Sequence, residues 1–200
     1  MGSYLNPGNF SFRGSLRSKI YVDKSELIAK TNEALCTEQR YICVSRPRRF
    51  GKSMAANMLA AYYDRSENTE ELFRNLAISK DSSYKENLNQ YDVIKINMQE
   101  FLSMSGTMEE MLDMLKKYLV LDFEEAYPQV RFRDEKNLIQ VLKDVFSYTR
   151  CPFVILIDEW DCLFREYQQD QEAQKKYLDF LRAWLKDKDY VALAYMTGIL

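Results

Sequence analysis

The sequence predicts an α/β fold, with a mainly parallel sheet flanked by helices on both faces. Three observations point that way. Four short apolar runs, at 41–45, 91–98, 153–157 and 191–196, alternate with stretches whose apolar residues recur at helical spacing. The run Phe153-Val154-Ile155-Leu156-Ile157 is apolar on both faces, as a central parallel strand must be. The 200 residues are 46% apolar and 29% charged, which suits one globular core and argues against disorder.

Taken in order, Asn6-Pro7-Gly8-Asn9 is a turn signal. Phe10, Phe12, Leu16 and Ile20 follow among basic residues. A helix opens at 22–26, where Asp23 can cap and Glu26 stands three residues on, as in a capping box. Leu27, Ile28, Leu35 and Cys36 continue its apolar face. Tyr41 to Ser45 reads as a short buried strand. Met54, Ala55, Met58, Leu59 and Tyr62 then recur at helical spacing, and Leu72, Phe73 and Leu76 mark a shorter helix. Residues 79–90 are polar and read as a loop or surface insertion.

Tyr91 to Met98 is the second strand. Met108, Met111, Leu112, Leu115, Tyr118 and Leu119 make a helical stripe whose methionines read as core filler. Pro128 breaks the chain, and Leu138, Ile139, Leu142, Val145 and Phe146 make another helix. After the strand at 153–157, Ala173, Tyr177, Phe180, Leu181, Trp184 and Leu185 stripe a further helix. Val191 to Met196 is the last strand, followed by Thr197-Gly198. No repeat and no internal boundary appears, so 1–200 reads as one domain. The apolar end at Ile199-Leu200 suggests the N-terminal part of a longer chain.

Composition narrows the function classes. The formal net charge of -2 is no global footprint for nucleic acid. Residues 1–52, however, carry 10 basic and 4 acidic side chains, an excess that culminates in Arg46, Arg48, Arg49 and Lys52. That points to a small polyanion such as a nucleoside triphosphate, against the plainer reading of an uneven solvated surface. Cys36, Cys43, Cys151 and Cys162 form no C-x-x-C pair, and there is no His, which argues against a zinc site. Cys43 and Cys151, beside or inside apolar runs, read as small buried hydrophobes. No stretch approaches the about 18 apolar residues that span a bilayer. Nor does 1–9 have the parts of a secretory signal, so a cytoplasmic protein without a membrane partner is the expectation.

The string Arg46-Pro47-Arg48-Arg49-Phe50-Gly51-Lys52-Ser53 joins a strand to a helix opening at Met54. It matches the second half of the phosphate-loop pattern G-x-x-x-x-G-K-[ST], with Arg46 where the first glycine would be. A loop in this place turns backbone N–H groups toward one point, and with the helix dipole they stabilise phosphate oxygens. Gly51 permits close approach, Lys52 can reach the β- and γ-phosphates, and the Ser53 hydroxyl can ligate magnesium. Pro47 removes one N–H donor. Arg48 or Arg49 could contact the nucleotide or a partner subunit, or be a solvated charge run. A GKS tripeptide alone is a weak signal, and its strand-before, helix-after setting strengthens it.

The segment 153–161 supplies a complement. An acid at the end of a buried strand needs an ion or a donor. Asp158 fits the magnesium-facing acid of a Walker-B strand, and Glu159 could orient and activate the attacking water. Asp161 is a lesser candidate, and either aspartate could instead cap the next helix. Thr197 could touch the γ-phosphate or the water, or be an ordinary turn hydroxyl. In open sheets ligands bind at the carboxyl ends of strands, where Gly51, Asp158 and Thr197 all fall. The site so read is a P-loop NTPase core, with ATP as nucleotide and Mg2+ as its ion.

The stretches KIYVDKS (19–25), SRPRRFGKSM (45–54), LFRNLAIS (72–79), VILIDEWD (154–161) and YMTGIL (195–200) resemble the predicted AAA-ATPase-like family of bacteria and archaea. The resemblance runs through nearly the whole chain. It implies that RPRRFGKS is the family's own form of the loop. It makes Lys52 and Ser53 the Walker-A pair, Asp158 and Glu159 the Walker-B pair, and places Thr197 at the sensor position. It implies ATP rather than GTP and a core strand order of 5-1-4-3-2, of which this chain would carry strands one to four. It also implies a PD-(D/E)xK nuclease-like domain downstream in many members. Two rivals to ATP hydrolysis stay open: a nucleotide-binding interaction module with little turnover, and nucleic-acid binding through the basic N-terminal portion. Self-association fits an arginine supplied by a neighbouring subunit.

Overall fold

The computed structural model describes residues 2–199; Met1 and Leu200 lie outside the described residues. Four strands, β1 (Tyr41–Ser45), β2 (Asp92–Asn97), β3 (Phe153–Asp158) and β4 (Val191–Gly198), form one sheet in the order β1-β4-β3-β2. Every pairing is parallel. The helices are α1 (Phe10–Leu16), α2 (Glu26–Ala34), α3 (Lys52–Tyr63), α4 (Glu70–Phe73), α5 (Tyr84–Asn87), α6 (Met98–Ser103), α7 (Met108–Ala126), α8 (Leu138–Thr149), α9 (Cys162–Glu166) and α10 (Gln171–Leu185). A 3-10 turn spans Ala77–Lys80.

The period of two along β3 divides the core. Phe153, Ile155 and Ile157 pack on one face with Leu115, Leu119, Val141 and Trp184. Val154 and Leu156 pack on the other with Ile28, Leu59, Tyr62, Tyr63 and Phe73. All six β3 residues are buried, so the strand is central, as its apolar run predicts. Truncating Ile155 to Ala would leave a cavity costing about 2–5 kcal/mol. The sheet is α/β, parallel and flanked by helices on both faces.

The two edges differ. The N-terminal segment lies along β2, where Asn6 N–H donates to Val93 O (2.7 Å) and Lys95 N–H to Tyr4 O (2.8 Å). The Asn6 side chain closes the same edge through Asp92 and the Val93 N–H. No described strand lies beyond β1, and Tyr41, Cys43 and Ser45 are exposed along it. The buried strand expected at 41–45 is therefore an edge strand. For the same reason Cys43 is exposed, not a buried hydrophobe; Cys151 is half-buried.

Other expectations need correcting. Asp23 does not cap a helix at 22–26. Its two oxygens accept the N–H groups of Ser25 and Ala77, each at 2.8 Å, and α2 starts at Glu26. Ser25 Oγ accepts the Ile78 N–H (3.0 Å), so these side chains tie the start of α2 to the 3-10 turn. The stretch 79–90, expected as a loop or surface insertion, does lie mostly at the surface, but it holds the end of that turn and the short α5. Tyr84 is buried there, and its carbonyl accepts the Tyr62 hydroxyl (2.7 Å). The pattern at 79–90 looks polar because a single aromatic anchors it. Met54, placed on the apolar face of α3, is exposed; Met108 and Met111 are core, as read.

Candidate phosphate-binding site

Residues 46–51 connect β1 to α3. Arg49 (φ 68°) and Gly51 (φ 78°) are both left-handed, so the loop makes its turn with two residues and not with a glycine at position 46. The Arg46 N–H donates to Gly198 O (3.2 Å), which fastens the loop entrance to β4. Gly51 is the N-cap of α3 and no side chain caps the helix, so its first N–H groups remain available to a ligand. Lys52 is buried, and its ammonium donates to Arg46 O (2.9 Å) and Pro47 O (3.1 Å). It bridges the loop's own carbonyls. Arg46, Pro47, Arg48, Arg49, Phe50, Ser53 and Met54 are exposed. None of the three arginines is in an ion pair with a described residue. Lys24 reaches across to donate to Phe50 O (2.9 Å), a second cation at the loop that the motif does not include.

The acids stand at the end of β3. Asp158 is 4% exposed and accepts the hydroxyl of the fully buried Thr197. Thr197 lies within β4, so its side chain is an internal strut to Asp158 and not a turn hydroxyl. Glu159 is left-handed (φ 53°), an uncommon state for a residue with a Cβ, and the chain turns sharply there. Its carboxylate pairs with Arg165 (2.6 Å). Asp161, fully buried, pairs with the same guanidinium (2.6 Å) and accepts the Ile199 N–H (2.7 Å). Asp161 is the N-cap residue of α9, but its side chain makes no capping bond. The simple capping reading therefore fails for it.

The two halves meet. A cavity of about 410 Å³ is lined by Ser53 and Asn57 from α3, Lys95 and Asn97 from β2, and Asp158, together with Tyr4 and Glu100. Ser53 and Asp158, the two residues expected to share a magnesium ion, thus border one space. Lys52 and Glu159 do not line it: the first is folded onto its loop and the second is drawn toward α9. Among the described residues no group of three or more acidic or cysteine side chains stands ready to hold a metal. One hydroxyl and one buried carboxylate is the sparse protein donor set that suits magnesium, which keeps water and substrate phosphates as its other ligands.

Lys95 escaped the sequence reading, because a lone lysine in an apolar strand looks like an outward-facing residue. It points into the cavity side and donates no hydrogen bond to a described residue. Burial pulls its ammonium below the usual lysine value, while Asp158 and Glu100 partly restore it. Asn97 caps α6 and sits beside Asp158 in register. Arg165 was also missed; its spacing of four from Asp161 on one helix was the available signal.

Residues 12–200 match the model of a family described as AAA-ATPase_like, Predicted AAA-ATPase. The chain belongs to that family. Neither the curated proteins nor the solved structures contain a match to it. For this AAA-ATPase-like chain the match covers all four strands, the loop at 46–53 and the acids at 158–161. The observed order β1-β4-β3-β2 is the 1-4-3-2 part of the order that the resemblance implies.

Proposed function

We propose that this chain binds ATP with magnesium and hydrolyses it, the reaction driving a conformational or assembly change. The single observation carrying this reading is that Ser53, at the start of the helix after β1, and Asp158, at the end of β3, border one polar cavity. In this reading the N–H groups at 51–54 and the Lys52 ammonium hold the phosphates, Lys52 exchanging its loop carbonyls for phosphate oxygens. Ser53 and Asp158 would hold magnesium, which supplies charge neutralisation at the γ-phosphate. Thr197 keeps Asp158 in place. Glu159 orients the attacking water.

A second reading, a nucleotide-binding interaction module with little turnover, is favoured by one observation: the Glu159 carboxylate is held by Arg165 and does not border the cavity. Phosphate release from the wild type, compared with Glu159→Gln and Lys52→Ala, separates the two. The first reading expects turnover that Glu159→Gln abolishes while ATP still binds, and Lys52→Ala loses binding. ATP binding with no phosphate release in the wild type would select the second.

A cytoplasmic location, self-association and a nuclease-like domain further along the parent chain belong to the same proposal and rest on the sequence and the resemblance. Nucleic-acid binding through residues 1–52 is a weaker companion. Salt-dependent DNA retention would support it.

A further inference from the structure

We infer that Arg165 is the positioning residue for Glu159, fixing by its two-pronged ion pair where the water-orienting carboxylate stands. This rests on the hydrolytic reading above. Four observations carry it. Glu159 sits at a left-handed turn, outside both β3 and α9, so regular structure does not set its side chain. The hydrogen bonds of its carboxylate go to Arg165 alone among the described residues, at 2.6 Å. The guanidinium is itself pinned: its other prong meets the fully buried Asp161 at 2.6 Å, and Gln99 Oε1 accepts from it at 3.3 Å. Asp161 in turn accepts the Ile199 N–H, at the end of β4.

The result is a chain of contacts from the β4 end, through Asp161 and Arg165, to Glu159. Gly198 completes it. A Cβ there would stand 2.8 Å from both Asp161 Cγ and the Trp160 ring nitrogen, so any larger residue would push these side chains aside. Arg165 is 17% exposed and Glu159 22%, so solvent screens the pair less than it would a surface pair. Phosphoryl transfer asks the protein mainly for positioning, and a carboxylate free to sample rotamers orients water poorly. A guanidinium supplies a planar fork; an ammonium supplies charge without that geometry.

A role limited to neutralising two acids is the alternative, and it predicts that a lysine serves as well as arginine. The test is steady-state phosphate release by the full chain and by Arg165→Ala and Arg165→Lys, with ATP affinity by calorimetry and thermal melting alongside. Positioning expects kcat to fall about tenfold in Arg165→Ala and about threefold in Arg165→Lys, with KM and ATP affinity within about twofold of wild type. With a wild type that turns over, three results overturn it. One is kcat per folded molecule unchanged in both variants, including where the melting temperature falls, which marks a structural pair. Another is kcat raised in either variant, which marks a restraint on Glu159. A third is Arg165→Lys equal to wild type while Arg165→Ala falls, which marks charge alone. A wild type that binds ATP without releasing phosphate removes the hydrolytic reading and this inference together. A wild type that turns over while the variants match it removes the inference alone.

Discussion

Ser53, in the first turn of α3, and Asp158, at the end of β3, border the same cavity, but the loop before the one and the turn after the other are held in different ways. The loop is exposed from Arg46 to Phe50, and its cations bond only to its own carbonyls or, like Arg48 and Arg49, stand unpaired among the described residues. The acid turn is buried and cross-linked: Thr197 to Asp158, Trp160 N–H to Thr197 O, Arg165 to Glu159 and Asp161, Ile199 to Asp161. One half is shaped before any ligand arrives. The other leaves the first N–H groups of α3 without a side-chain cap. Loop substitutions should therefore affect binding, and substitutions around the acids should affect stability as well.

The largest expected effect is on the loop side. Lys52→Ala should weaken ATP binding at least about 100-fold, roughly 3 kcal/mol by calorimetry, because a charged phosphate contact is lost. Its denaturation midpoint should stay near wild type, since Lys52 bonds only two carbonyls of its own loop. A large stability loss would erase the contrast. On the acid side, Thr197→Val removes the hydroxyl donor from a buried carboxylate, and should cost about 1–3 kcal/mol in urea unfolding. Gly51→Ala should cost about 1 kcal/mol, since φ is 78° there, and the added methyl would meet only the flexible end of Lys24 at 3.2 Å.

The smallest effect concerns pH. Burial works to raise the Asp23 pKa, but the N–H groups of Ala77 and Ser25 outweigh it and hold the pKa below the ordinary 3.8. A depressed carboxylate contributes stability above its unfolded value and loses it as pH falls through the folded one. Asp23→Asn should therefore lower stability at pH 7 and flatten the acid limb below about pH 4, so that the two proteins converge as pH falls. Asp23 is exposed, so the change should be small.

How far the sequence could be read follows the same division. All four strands were legible as apolar runs, most plainly β3, which is buried on both faces and contains 153–157; at 41–45 the run marked the strand and not its place at the edge. The strand–loop–helix order from 41 to 63 and the place of Asp158 at the end of a strand were legible because both depend on local order. What stayed hidden depends on contacts between distant segments. Asp23 and Ser25 turn to residues 77 and 78, a partnership that no local spacing announces. Lys95 gains its meaning only where β2 lies beside β3. Cys43 is exposed because β1 is at the sheet edge, which an apolar run by itself does not disclose.

In the function proposed above, Ser53 and Asp158 serve one magnesium-bound triphosphate across the cavity they share. ATP calorimetry on the wild type, Ser53→Ala, Asp158→Asn and the double variant, with and without magnesium, tests it most directly. Each single variant should weaken ATP binding only when magnesium is present, and the double variant should be little worse than either single one. Losses that simply add, or that persist unchanged without magnesium, would contradict it.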